Sequence, residues 1–425
     1  MTTKIKQFKD SKLETKILKL SEIKSNPKNP KLHDEEFLDQ SFKEFGQVAP
    51  IIVDEKNMLL AGHGRRDAMK RLGYKEVEVI VKRGLTEKQK EKYLLLDNKL
   101  TERGGWDAEL LKEFDIEALF ASGFEQAELS TMWDDVLQID GDNFDEQKEL
   151  EKARDTDIKP GNLFRLGNHY LLCGDSTDPK NIQRLMGKEK AAMVYCDPNY
   201  NISLSYDKGI GGKANYGGHT NDHRSDSDYK EFLRKTMANA IEASNKDIHF
   251  FYYCDQRYIG LIQDLYKDLG IKNQRVCLWI KNGFNVTPQV AFNKCYEPCV
   301  YGIKGKPFLS PVKNLDEILN KEIGTGNRAI DDISDIIDIW LAKRLAGQDY
   351  EHATSKPPTL HEKALRRCTK VNDIVLDLFG GSGSTLIACE QLKRRAFISE
   401  IEPVFCQLIC NRYFNLTGVK AKLVK

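Results

Sequence analysis

The C-terminal part of the chain carries a strand, a glycine-rich turn, a helix and an acidic residue in the order that a nucleoside site requires. An apolar strand ends at Asp377 and leads into Gly380-Gly381-Ser382-Gly383. Residues 386–392 follow as a predicted helix, and a second predicted strand, residues 395–399, ends at Glu400. Glycines let the backbone approach a ligand closely, and an acidic side chain about 20 residues further on binds ribose hydroxyls. The pattern predicts a nucleoside site, and a tight turn without a ligand is the competing interpretation.

An earlier strand ends in residues that could act on a base. The apolar residues 193–196 lead into Asp197-Pro198-Asn199-Tyr200. Because open α/β sheets bind ligands outside the carboxyl ends of their strands, we expect Asp197 and Tyr200 to project into that crevice. Taken alone the motif is weak, since turns that follow strands often contain Asp-Pro.

Together the two segments resemble the amino-group DNA methyltransferases that use S-adenosylmethionine, in the permuted subclass whose catalytic motif precedes the cofactor motif. The resemblance covers about residues 159–423. Further runs that fit this family are residues 166–176, Trp279-Ile280-Lys281-Asn282, Tyr296-Glu297-Pro298 and His352-Ala353-Thr354-Ser355-Lys356-Pro357. Jointly these motifs are highly specific.

The resemblance implies a role for each residue of the two motifs. Asp197 and the Pro198 carbonyl would accept hydrogen bonds from the exocyclic amine of a base flipped from the duplex, and Tyr200 would stack on that base. Such acceptors draw the amine nitrogen toward a pyramidal, more nucleophilic geometry, so catalysis would consist of positioning and electrostatics. The residues implied to line the cofactor are Asp175, Ser176, Lys356, Asp377, Phe379, Gly380, Gly381, Ser382, Gly383 and Glu400. The first two are expected near its adenine and the third near its methionine end.

One position departs from the family motif Asp-Pro-Pro-Tyr, because Asn199 stands where the second proline is expected. A second proline would stiffen the turn that presents the Pro198 carbonyl and Tyr200. Its replacement is therefore expected to loosen the turn without removing a hydrogen-bonding group.

The acidic residue that opens the motif favours adenine-N6 as the target, since the cytosine-N4 enzymes of this family more often begin with serine. We predict a site-specific DNA adenine-N6 methyltransferase. Cytosine-N4 transfer, an RNA substrate, and a non-catalytic ParB-like DNA-binding protein with a degenerate methyltransferase domain stay open as alternatives. Cytosine-C5 methylation needs a thiolate after a proline, and Pro298-Cys299 lies instead in an apolar segment that predicts a buried cysteine.

The N-terminal segment, about residues 17–81, resembles the ParB-like nuclease-fold domain. The resemblance rests on Ser25-Asn26-Pro27-Lys28-Asn29-Pro30, Gly46-Gln47 and Gly62-His63-Gly64-Arg65-Arg66-Asp67-Ala68. In partition proteins the matching loop, Gly-Glu-Arg-Arg-x-Arg-Ala, holds nucleotide phosphates. Here Gly64 and Asp67 replace two arginines, and an acid would repel phosphate. An accessory DNA-contacting or partner-docking module is favoured over a purely structural role and over a nucleotide site.

Composition limits the class of protein. The chain has 425 residues, with 65 Lys+Arg against 64 Asp+Glu and a net charge of +1. This balance excludes a polybasic binder but not an enzyme with one basic cleft. Ten cysteines without a C-x-x-C pair predict reduced, buried thiols and no metal site. No apolar stretch reaches the roughly 18 residues of a membrane span, so a cytoplasmic protein is expected.

Several folded parts must position these residues. Short apolar strands that alternate with amphipathic helices predict an α/β fold, with a doubly wound Rossmann-like methyltransferase sheet behind a smaller α/β ParB-like domain. Double-stranded DNA is the expected partner, with a homodimer as an option, and target recognition is expected in residues 203–227 and 304–348. The predicted limits are 12–85 for the ParB-like domain, 86–137 for a helical connector, 138–160 for a polar linker and 161–425 for the methyltransferase domain.

Overall fold

The computed structural model describes residues 13–134, 136–142, 144–203, 222–280, 296–311, 339–341 and 356–424. The chain divides into two compact units, Met1–Asp115 with Ala121–Gly123, and Ile116–Phe120 with Phe124–Lys425. The segments predicted to recognise the target, 203–227 and 304–348, lie largely outside the described residues, as do Lys281, Asn282 and residues 352–355. The predicted domain limits stay a prediction.

The first unit contains a four-stranded sheet in the order β1-β4-β2-β3. Its strands are β1 (Glu14–Lys19), β2 (Ile51–Asp54), β3 (Leu59–Ala61) and β4 (Glu76–Lys82), and its longer helices are α1 (Glu35–Phe45), α2 (His63–Arg71) and α3 (Glu87–Arg103). Alternate residues of β4, among them Val77 and Val79, are buried in the core of this unit, as the period of two in a half-buried strand requires.

The chain after α3 continues in short helices, α4 (Ala108–Leu111), α5 (Ile116–Ala121) and α6 (Gln126–Met132). The polar segment that follows also contains a helix, α7 (Glu146–Ala153), whose first turn is capped by the Asp145 side chain. Leu150 and Ala153 of α7 are buried against Leu408. The part of this segment that holds α7 is therefore packed into the second unit.

The second unit is built on a ten-stranded sheet in the order β11-β9-β10-β8-β7-β12-β13-β6-β5-β14. The strands are β5 (Leu163–Leu166), β6 (His169–Cys173), β7 (Ala191–Cys196), β8 (Ser244–Tyr253), β9 (Lys272–Ile280), β10 (Tyr296–Lys304), β11 (Ile339–Leu341), β12 (Ile374–Asp377), β13 (Arg395–Glu400) and β14 (Lys422–Val424). The five central strands, from β8 to β6, are parallel to one another, and β10 and β5 add antiparallel strands on either side.

Helices cover the two faces of this sheet. They are α8 (Pro179–Met186), α9 (Asp226–Glu242), α10 (Ile259–Asp268), α11 (Glu362–Cys368), α12 (Ser384–Gln391) and α13 (Pro403–Thr417). Apolar residues of α8, α9 and α10 share one core with Phe397 of β13. The next residue, Ile398, points to the opposite face, where it and Ile409 of α13 flank Gly380. The predicted doubly wound α/β fold is confirmed. None of the described helices has the length and apolar content of a membrane span.

The strand order explains where a ligand can bind. The chain passes from β7 to its neighbour β8 on one side, and from β12 to its neighbour β13 on the other. Because β7 and β12 are adjacent, their connections diverge and leave a crevice outside their carboxyl ends. Asp197 follows β7 directly, and Asp377 is the last residue of β12.

Candidate active site

Four polar side chains meet at the carboxyl end of β7. The Tyr200 hydroxyl lies 2.8 Å from Asp197 Oδ1 and 2.9 Å from Glu297 Oε2. The Lys356 ammonium donates a hydrogen bond to Asp197 Oδ2, and its Nζ lies 3.1 Å from the Tyr200 oxygen and 3.4 Å from Glu297 Oε2. We call these residues the acid–lysine cluster.

Burial and charge set the protonation of this cluster. Burial opposes the charge on Lys356, but Asp197 and Glu297 together raise the pKa of its ammonium group. Burial also raises the pKa of Asp197, against the opposing effect of Lys356. Burial and the two carboxylates raise the pKa of the Tyr200 hydroxyl far enough that it stays a neutral donor. The Lys356 charge lies 4.4 Å from the centre of the Tyr253 ring, which adds a cation–π contact.

The structure brings Lys356 together with Asp197 and Tyr200, as predicted site residues, and adds one residue that was missed. Lys356, predicted near the methionine end of a cofactor, is bonded to Asp197 in the catalytic motif. Glu297 belongs to the run Tyr296-Glu297-Pro298, which fits the family but does not by itself predict a role for this residue. A usable signal was present, because a charged residue inside an otherwise apolar strand needs a partner when it is buried.

The turn that carries Asn199 is held by side chains from other elements. The hydroxyl of the buried Tyr229, on α9, donates to the Asn199 carbonyl at 2.8 Å. Asn201 has a positive φ of 53°, and its backbone N–H donates to Asp222 Oδ1 at 2.8 Å. These contacts restrain the turn at the place where the family motif has a second proline.

We therefore expect Tyr229→Phe to slow the methyl transfer predicted from the sequence by about three- to tenfold in single-turnover rate, since one hydrogen bond contributes about 0.5–1.5 kcal/mol. Asn199→Pro should raise the rate more in the Tyr229→Phe background than in the wild type. Tyr266→Phe is the matched control, because it removes another buried hydroxyl, which donates to the Val300 carbonyl at 3.0 Å. Equal losses in both tyrosine variants would contradict a specific role for Tyr229.

The glycine-rich turn lies one strand away, between β12 and α12. A Cβ atom on Gly380 would come within 2.5 Å of Ile398 Cγ2, so this position is restricted to glycine by contact. Gly381 and Gly383 have positive φ angles of 49° and 84°, which other residues rarely adopt. Glu400 closes the turn, because its Oε2 accepts the Gly381 N–H at 2.8 Å and its Oε1 accepts the Glu402 N–H at 2.9 Å.

These residues fit an adenosyl cofactor. A Cβ atom on Gly381 would meet no atom closer than 3.9 Å, so the backbone is open to a ligand there. Each Glu400 oxygen keeps a lone pair for a ribose hydroxyl beyond its backbone bond. The Ser176 hydroxyl donates to the Leu378 carbonyl at 2.8 Å, whereas Asp175 is exposed at the same end of the sheet. Phe379 is half-buried, with its ring 5.8 Å from that of Phe232.

Two buried carboxyl groups in this region have unusual acidity. Burial raises the pKa of Asp377 to about 7, although the Phe379 N–H donates to it, and burial likewise raises the pKa of Glu400 to about 7. A nearby cation or a donor from a ligand would favour the ionised form of both groups.

The raised pKa of Asp377 predicts a pH dependence of stability. The folded state holds this proton up to about pH 7, whereas the unfolded chain releases it near pH 4, so the free energy of unfolding falls as the pH rises between these values. We expect the melting temperature of the wild type to fall relative to that of Asp377→Asn between pH 5 and 8. Thermal unfolding of both proteins and of the exposed-site control Asp175→Asn tests this, and parallel curves for wild type and Asp377→Asn would contradict it.

The described residues do not favour a cysteine nucleophile, a metal site or a phosphate site like that of partition proteins. Cys299 is buried, as predicted, and burial raises the pKa of its thiol well above the usual range, whereas a nucleophile needs a thiolate. Within the described ranges, no group of three or more His, Cys, Asp or Glu could hold a metal ion. In the first unit, Arg66 pairs with the neighbouring Asp67 at 2.7 Å, and both lie in α2, at the sequence position that resembles the phosphate-holding loop of partition proteins.

Comparison with known proteins agrees with this geometry. A DNA methylase family model matches residues 191–411, just over half of the chain, and a ParB N-terminal domain model matches residues 3–99. The chain belongs to the N6/N4 DNA methylase family and carries a ParB N-terminal domain. Both predicted resemblances are confirmed.

Individual relatives cover one part or the other. YnaK of Escherichia coli (strain K12), a ParB-like nuclease domain-containing protein, is 40% identical over 76 residues, 17% of this chain and 87% of that protein. The type II methyltransferase M2.DpnII of Streptococcus pneumoniae is 25% identical over 241 residues, 53% of this chain and 84% of that protein. A crystal structure of an M1.HpyAVI–SAM complex has 22% identity and a TM-score of 0.40, covering 57% of this chain and 97% of that one.

Proposed function

We propose that the protein is a site-specific DNA adenine-N6 methyltransferase that uses S-adenosylmethionine. The observation that carries this proposal is the position of Asp197 and Tyr200 at the end of β7, directly beside the strand β12 that leads into the glycine-rich turn. A target base and an adenosyl cofactor would share one crevice there.

One set of site residues contacts the target base, and a second set contacts the cofactor. Asp197 and the Pro198 carbonyl accept the two amine hydrogens, and Tyr200 stacks on the base, which must leave the duplex to reach them. Glu400 accepts the ribose hydroxyls, and the glycine-rich turn admits the cofactor to close contact. Bound S-adenosylmethionine supplies an electrophilic methyl group on a sulfonium centre.

Asp197 is also the group placed to receive the proton that the reaction releases. Methylation of an exocyclic amine would release one proton, which a base in the site would have to accept. The partly buried carboxylate of Asp197, whose pKa burial raises against the opposing effect of Lys356, would take that proton. Lys356 and Glu297 hold Asp197 and Tyr200 in place while this happens.

The choice of adenine rests on the acidic residue that opens the motif. Cytosine-N4 transfer places the same kind of exocyclic amine against the same acceptors, so the products have to be identified. The ParB N-terminal domain is proposed as an accessory DNA-contacting or partner-docking module and not as a nucleotide site, since Asp67, which pairs with Arg66 at 2.7 Å, would repel phosphate.

Methyl transfer with tritiated S-adenosylmethionine tests the function. The full-length protein is incubated with double-stranded DNA, which is then digested to nucleosides. Labelled N6-methyladenine supports the proposal, and labelled N4-methylcytosine replaces it with the alternative base. Absence of label in a protein that binds the cofactor would show that the site is degenerate.

A further inference from the structure

Arg412, on the last helix α13, connects the glycine-rich turn to a segment that precedes the methyltransferase sheet. Its Nε and Nη2 donate to the two carboxylate oxygens of Asp142 at 2.5 and 2.8 Å. Its remaining nitrogen, Nη1, donates to the Ser382 carbonyl at 3.0 Å and lies 3.2 Å from the Ser382 hydroxyl. The Arg412 side chain is only 5% exposed.

The segment that supplies Asp142 is packed against the same helix. We call Asp142 and residues 144–153 the strap. The Phe144 ring lies 4.8 Å from the Arg412 guanidinium carbon. Leu150 and Ala153 of the strap are buried with Leu408 of α13. The strap is thereby anchored to α13 at Asp142 and again on the C-terminal side of that bond.

This arrangement gives Arg412 a fixed orientation. Two parallel bonds to one carboxylate set the plane of a guanidinium group and so the direction of its third nitrogen. That nitrogen points at Ser382, which lies between two glycines of positive φ, Gly381 and Gly383. Glycines leave a turn many accessible conformations, so an external restraint at Ser382 reduces the entropy lost when a ligand binds.

We propose that Asp142 and Arg412 are positioning residues of the cofactor site, and that the strap holds the glycine-rich turn in the conformation that binds the cofactor. This inference rests on the proposed function. On this proposal, the strap contributes to cofactor affinity although it lies outside the methyltransferase sheet.

Asp142→Asn in the full-length protein tests the proposal, with Asp142→Glu as the conservative variant. Glu189→Gln is the matched control, because it removes a carboxylate from another arginine pair, Arg395–Glu189 at 3.0 Å, that does not contact the turn. We expect Asp142→Asn to weaken S-adenosylmethionine binding, measured by calorimetry, about five- to tenfold, which equals about 1–1.4 kcal/mol. Amide hydrogen exchange of residues 380–384, measured without cofactor, should accelerate, and DNA affinity should stay unchanged.

The outcomes distinguish a failure of the strap proposal from a failure of the proposed function. Retained affinity in Asp142→Glu with loss in Asp142→Asn supports the strap as a positioning element. Unchanged affinity and exchange in Asp142→Asn, or an equal loss in Glu189→Gln, overturns it. If the wild type binds no S-adenosylmethionine, the proposed function fails, while exchange of the turn still reports whether the strap restrains it.

Discussion

Asp197→Ala is expected to lower the single-turnover rate of methyl transfer by about a hundred- to a thousandfold, because a preorganised polar group directed at the reacting centre contributes about 2.7–4 kcal/mol to catalysis. The variant would lose the proposed acceptor of the amine hydrogen and the proposed acceptor of the released proton. Cofactor affinity should change little, since Glu400 and the glycine-rich turn are built from β12 and β13. Tritium transfer to DNA and calorimetry with S-adenosylmethionine measure the two effects separately.

Glu297→Gln is the control for Asp197→Ala, because it changes the same cluster but should slow methyl transfer less. Removing the Glu297 carboxylate leaves Lys356 paired with Asp197. Removing the Asp197 carboxylate leaves Lys356 with only Glu297, 3.4 Å away, and leaves the amine of the base without its proposed acceptor. The loss in Glu297→Gln should therefore be smaller, in the range of about ten- to a hundredfold, as one charge-assisted hydrogen bond contributes about 1.5–3 kcal/mol. Full activity in Asp197→Ala would overturn the assignment of the catalytic motif.

Glu400→Gln is expected to weaken S-adenosylmethionine binding by about a hundredfold at pH 8, where the wild-type carboxylate is ionised. The carboxylate accepts two backbone N–H groups, and a carboxamide would present its own NH₂ group to one of them. The turn and the ribose acceptor would be lost together. The methyl-transfer rate at saturating cofactor should change much less than the affinity.

The matched control for this variant is Glu402→Gln. Its backbone N–H still donates to Glu400, so the substitution alters an acidic side chain two residues away and leaves the turn intact. Equal losses of cofactor affinity in Glu400→Gln and Glu402→Gln would point to the general negative charge of the region and would contradict a specific role for Glu400.

Local features of the site could be predicted from the sequence. The strand, turn, helix and strand around residues 374–400 were predicted because apolar runs, glycines and an acidic residue follow one another within a short distance. Glu297 and Arg412 could not be assigned partners in this way. Their partners lie far away along the chain, and only the pairing of β10 with β8 and the packing of α13 bring them to the site.

Composition was a weaker guide for the polar segment before the methyltransferase sheet. Its average is charged and poor in apolar residues, which indicated a linker. Leu150 and Ala153 are three positions apart and therefore share one face of α7, which they pack against α13 together with Phe144. The average apolar content of the segment does not reveal two apolar residues that share one helix face.

The adjacency of β7 and β12 also bears on how the chain folds during synthesis. The contact between Cys196, at the end of β7, and Leu378, just after β12, closes a loop of 182 residues. At ribosomal rates of about 5–20 residues per second, β12 is synthesised roughly 10–40 s after β7. Until then the apolar residues of β7 have an unpaired edge, so chaperone protection and low growth temperature should favour recovery of the active protein.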